Sequence, residues 1–152
     1  MIDTLRAFLG KHLNTVIEEQ DDKQAIHLAI ATLLMEVARA HADISEPERQ
    51  AVQQLLEIHF AVPPDVSRTI AAAAEHEAEQ AVSLYPMTSL INRECSQPDK
   101  RQIVRMLWDV TFADGHIDSH EEHLVRKVAD LLHVPHREFI RAKLQATGDG
   151  DD

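Results

Sequence analysis

Cysteine occurs once in this chain, at Cys95, so no intrachain disulfide can staple the fold. Glycine (4), proline (6) and aromatic residues (4%) are scarce as well. The long Ala/Leu/Glu/Gln stretches they leave uninterrupted favour helices over strands. Positive charge is also short: 15 Lys and Arg against 26 Asp and Glu give a formal net charge of −11. Nucleic acids and anionic membranes require a positive face, and no stretch gathers one. The longest apolar run is the roughly eight-residue "LAIATLLM", far below the ~20 residues of a membrane span. The opening "MIDTLRAFLGKHL" carries acid and base too early for a signal peptide, which makes the cytoplasm the expected location.

With 44% of its 152 residues apolar, the chain can form one domain with a real core. Apolar positions recur at helical spacing in most segments. Leu5, Phe8, Leu9, Leu13, Val16 and Ile17 predict a helix over about 3–19, and Ile26, Ile30, Leu33, Leu34 and Val37 a longer one over about 22–42, ended by Asp43. In "ISEPERQAV", Ser45 is placed as an N-cap, Pro47 fits the first turn and Glu48 lies three residues after the serine. That is the capping-box pattern, and Val52, Leu55 and Leu56 form the buried face behind it. "VPPD" breaks the chain before a fourth helix to about 82. "YPMTSLINRECSQPD" predicts a short helix between two proline breaks. A helix over about 99–113 buries Ile103, Met106, Leu107 and Val110, with Trp108 beside that face. The next carries Leu124, Val125, Val128, Leu131 and Leu132. "HVPHREF" breaks it, and a last helix runs to about 146, leaving an acidic tail, 147–152, with nothing to bury.

The segments repeat. "AHADISEPERQAV" aligns with "TFADGHIDSHEEHLV", pairing Ala42-Asp43 with Ala113-Asp114, Ser45 with Asp118 and Glu48 with Glu121. Further on, Val62-Pro63 matches Val134-Pro135. The expected architecture is therefore all-α: a single-domain bundle of seven to eight helices over 1–146, with pseudo-symmetric halves at 25–82 and 99–146.

An apolar helix ending in Ala-Asp-Gly, followed by Ile-Asp and by a Glu opening the next helix, resembles the TerB-like family. "ADGHIDSHE" at 113–121 carries the pattern, and "ADISEPE" at 42–48 is a version without the glycine. The family is named for a bacterial tellurite-resistance protein, and related modules are fused to J-domain co-chaperones. The resemblance spans about residues 25–146. It implies an all-helical fold with two similar halves, acids gathered near the corners and a stress- or metal-linked setting, without a settled activity.

"FADGHIDSHEEH", residues 112–123, concentrates four acids and three histidines without Lys or Arg. Its residues fit a helix corner. Gly115 can take positive φ, Asp114 can accept from the N–H groups of the next turn, and Asp118 can cap a helix with Glu121 closing the box. The alternative is a hard divalent cation, Ca²⁺ or Mg²⁺, held weakly by Asp114, Asp118, Glu121 and Glu122, since no base within 108–125 offsets them or Asp109. This is no EF-hand: counting from Asp114, Ser119 stands where Gly is needed and Val125 where Glu is needed. His120 and His123 are three apart, whereas the zinc-protease motif needs four, so His116, His120 and His123 read as solvated. Cys95 lacks a nucleophile signature, and no phosphate loop or nucleophile elbow is present.

The expected function is a non-catalytic acidic module, a protein-interaction or stress-response accessory that needs no cofactor. Its partner would be another protein or a second copy in a homodimer, not nucleic acid. The alternative is a cation-responsive module acting through the Asp114–Glu122 corner. If both caps are placed as read, Ser45→Ala and Asp118→Ala should each lower stability by about 0.5–2 kcal/mol in chemical denaturation.

Overall fold

The computed structural model describes residues 18–40 and 43–148. Among them run seven helices and no strand: α1 (Glu18–Ala38), α2 (Glu46–Phe60), α3 (Pro64–Gln80), α4 (Tyr85–Glu94), α5 (Gln97–Thr111), α6 (Ser119–Leu131) and α7 (His136–Thr147). The helix expected over 3–19 lies outside the described residues, apart from its last two positions, which fall in α1. The all-α bundle is as expected.

The sequence pattern assigned α1 a single apolar face. In the structure every side chain from Leu28 to Met35 is buried, Thr32 included. Alternation of Ala29 and Ala31 with Leu33 and Leu34 leaves no polar side to this stretch, so α1 becomes the axis of the bundle. It packs against α2, α3, α4, α5 and α6. Thr32 satisfies its hydroxyl within the helix by donating to Leu28 O at 2.7 Å. The helix ends at Ala38, short of the expected 42, and Arg39 then reaches across to donate to Ala78 O at 3.0 Å.

The alanine-rich α3, bland as a sequence, owes its place to those alanines. Ala71, Ala74 and Ala78 are buried beside Ile70, and small side chains let α3 lie close on α1. Arg49 of α2 clamps the same helix with a two-pronged ion pair to Glu75, at 3.0 and 2.9 Å. At the end of α2, Phe60 stacks on His27 of α1, ring centroids 3.8 Å apart. Burial, helped by the charge of Lys23, lowers the His27 pKa to about 4, so the stacked ring is neutral near pH 7.

The carboxyl-terminal helices are fastened by Trp108. Expected beside the buried face of α5, it is fully buried, and its indole N–H donates to Phe139 O of α7 at 3.2 Å. Leu131, expected inside, is 36% exposed, while its neighbour Leu132 is sealed in the core. The cause is the end of α6: Val134 N bonds to Ala129 O and His133 N to Asp130 O, a helix-ending turn that swings Leu132 inward. Asn92 and Gln97 brace that turn by donating to Leu131 O and His133 O.

Two residues pay a conformational penalty at the Val-Pro breaks. Ala61 (φ 53°) and His133 (φ 60°) are left-handed non-glycine residues, each one position before its Val-Pro. Both are exposed, so neither side chain offsets the strain by packing. Ala61→Gly and His133→Gly should each raise stability by about 0.5–1 kcal/mol, measured by urea denaturation.

Candidate functional site

At the first corner Ser45 has extended backbone (φ −76°, ψ 159°) and its hydroxyl accepts from Glu48 N at 3.2 Å. Glu48 answers through Oε1, which accepts from Ser45 N at 3.0 Å and from Ser45 Oγ at 2.8 Å. The capping box is formed as read. A second one, not anticipated, opens α5 with Ser96 and Asp99. At the other corner Asp118 caps α6, Oδ1 accepting from His120 N at 2.8 Å and from Glu121 N at 3.4 Å. Before it, Asp114 Oδ1 accepts from His116 N at 3.0 Å, and Gly115 takes φ 88°. The space around Gly115 is open, so only the backbone angle demands glycine there.

Glu48 and Glu121 occupy the same position, three residues past the cap, in two helices whose amino-terminal ends meet. Only 2% of Glu48 and 1% of Glu121 remains exposed. Glu48 Oε2 receives no donor from backbone or neutral side chains, and the carboxyl of Glu121 is hydrogen-bonded to Glu48. Two carboxylates cannot make that bond; a carboxyl and a carboxylate can. Burial first, then the charge of Glu48 and the bond to it, with Asp118 and Asp114 adding, push the Glu121 pKa up to about 8. Near pH 7 Glu121 therefore keeps its proton, at the start of its helix beside Glu48. Sealed from solvent, neither carboxyl is open to a substrate.

The four carboxylates proposed as cation ligands separate. Asp114 and Asp118 organise their turns and influence Glu121 by charge, and Glu121 turns inward to Glu48. Glu122 leaves the group and pairs with Lys143 of α7 at 2.7 Å. Asp109 likewise has a base, Arg105, at 3.2 Å. The acids that looked uncompensated along the chain are thus partly neutralised by residues distant or upstream in sequence. Among the described residues no group of three or more His, Cys, Asp or Glu is placed to hold a metal ion. Of the four, Glu121 is bonded to Glu48 and Glu122 to Lys143. His116, His120 and His123 are exposed. Glu48 is the site residue that sequence reasoning assigned only to a cap; its alignment with Glu121 was the signal that the two belong together.

A family model described as "Tellurite resistance protein TerB" matches residues 27–144, from within α1 to within α7. The chain belongs to the TerB family. No curated protein and no solved structure matches it. The matched span contains both TerB corners and the Glu48–Glu121 pair. No helix among the described residues is long and apolar enough to cross a membrane.

The paired carboxyls make stability depend on pH. The folded pKa of Glu121 is raised, so the native state binds its proton more tightly than the unfolded chain does. The pair's contribution is complete below about 4.5 and is lost as pH rises toward about 8. Glu121→Gln, which keeps the shape of the protonated acid, should flatten that slope and stabilise the protein by about 1–3 kcal/mol at pH 8. Chemical denaturation between pH 5 and pH 9 of wild type and variant reads it directly; an unchanged slope would refute the shared proton.

Proposed function

We propose that this TerB-family chain is a non-catalytic accessory that acts by binding another protein. The observation that carries this reading is Ile58, 72% exposed on the rim of an open groove of about 380 Å³ between α2 and α5. Ala51, Leu55 and Ala113 supply its apolar lining, and Asp109 lies at its edge. An exposed branched apolar side chain beside such a groove suits a partner side chain that covers it. The net charge of −11 favours a partner that flanks its apolar contact with basic residues.

Two observations speak against catalysis as the role. The paired carboxyls are sealed, and burial, followed by the charge of Asp99, raises the pKa of Cys95, the reverse of an activated nucleophile. The cation-responsive alternative has less support, because Glu121 and Glu122 are already committed to Glu48 and Lys143.

A photocrosslinking amino acid placed at Gln54, on the groove, and at Asp130, on the far surface of α6, tests the reading in the native cell. Position 54 should give a discrete adduct with another protein that position 130 does not, and Ile58→Glu should abolish it. Identical adducts at both positions would overturn the proposal, as would an adduct the mass of two copies of this chain. Melting temperature should rise no more in millimolar Ca²⁺ or Mg²⁺ than in matched NaCl. A larger rise, lost in Asp114→Asn, would favour the cation-responsive module instead.

A further inference from the structure

The acidic balance of the chain is reversed at one concave surface. Between α5 and α7 lies an open cleft of about 490 Å³. Arg101 and Arg105, one turn apart on α5, line one wall, and Arg141 of α7 lines the other. Three arginines and two acids line it, although the chain as a whole has only 15 Lys and Arg against 26 acids.

Two of the three are partly engaged. Arg105 donates from Nε to Asp109 Oδ1 at 3.2 Å and from Nη1 to Gln145 Oε1 at 3.5 Å. Arg101 stands 3.9 Å from Glu138, too far for a good hydrogen bond. Arg141, which also lines the cleft, has no ion pair or hydrogen bond among the described residues. A structural explanation accounts for Arg105, whose bonds tie α5 to α7. It does not account for Arg141.

We propose that this cleft binds a small organic anion whose phosphate or carboxylate group is held between Arg105 and Arg141. The volume lies within the range of small-molecule sites, about 300–1,000 Å³. Guanidinium forks match the planar or tetrahedral oxygens of both groups and form their strongest hydrogen bonds with them. Asp109 holds the Arg105 guanidinium in place, and Asp109 and Glu138 present acceptors to hydroxyl or N–H groups on the rest of the ligand. Asp109 also competes for Arg105, so an entering anion must share that fork. The cleft meets the Ile58 groove at Asp109, which lines both, but none of the three arginines lines that groove.

NMR titration of amide resonances at constant ionic strength tests the site, with inorganic phosphate in one series and succinate in the other. Saturable shifts confined to residues 98–109 and 138–145 are expected with at least one anion, and the tighter of the two assigns the group. Arg141→Gln should weaken binding about tenfold or more. Asp109→Asn should tighten it by releasing Arg105, while Asp130→Asn, the same charge change on exposed α6, should leave it unaltered. The proposal fails if neither anion gives saturable shifts, or if the shifts spread over all exposed basic residues. It also fails if Arg141→Gln binds like wild type, or if Asp109→Asn and Asp130→Asn act alike.

Discussion

The bundle depends on α1 having no solvent face through its middle. From Leu28 to Met35 each side chain is buried, so five other helices must close around it. Small residues make this geometrically feasible: alanines on α1 and α3 bring those two axes together, and leucines fill the wider gaps toward the other helices. Only α7 stands off this axis, held through α5 and α6. Trp108 makes that attachment, its ring packed on Phe139 and its N–H satisfied by the same residue's carbonyl. Lys143 lies 5.5 Å over the Trp108 ring while also pairing with Glu122, so one side chain links three helices.

The electrostatic constraint follows from the packing. The third residues of α2 and α6, Glu48 and Glu121, are brought into contact in the same sealed space. Glutamate suits the position locally, because negative charge is favoured at a helix start. Two such charges in contact and out of water are not favoured, and a proton resolves the conflict at lower cost than an unpaired buried charge would. The acids of this TerB chain therefore hold the corners together, while three arginines gather along the cleft between α5 and α7.

Ion pairs show the same division between local and assembled features. Arg49 with Glu75 joins α2 to α3, and Glu122 with Lys143 joins α6 to α7. In the alignment of the two corners, Arg49 corresponds to Glu122. The position keeps its role as a clamp while the charges exchange partners. Such a swap is invisible to residue identity but preserves the physical interaction.

Helix content, the Ser45 and Asp118 caps, the turn at Asp114-Gly115 and family membership were legible in the sequence. Each rests on interactions among residues a few positions apart, where spacing alone sets geometry. The burial of α1 on every side was not, since one helix cannot state how many neighbours surround it. Leu131, expected inside with Leu132, is exposed because a single turn at the helix end, braced by Asn92 and Gln97, leaves only Leu132 facing the core. Glu122 found Lys143 and Arg105 found Gln145, both on α7, contacts that no short window along the chain contains. Glu48 and Glu121 lie between these cases. Their matching places, each three residues past a cap, could be read from the sequence, but their meeting, and the proton it requires, came from the tertiary structure.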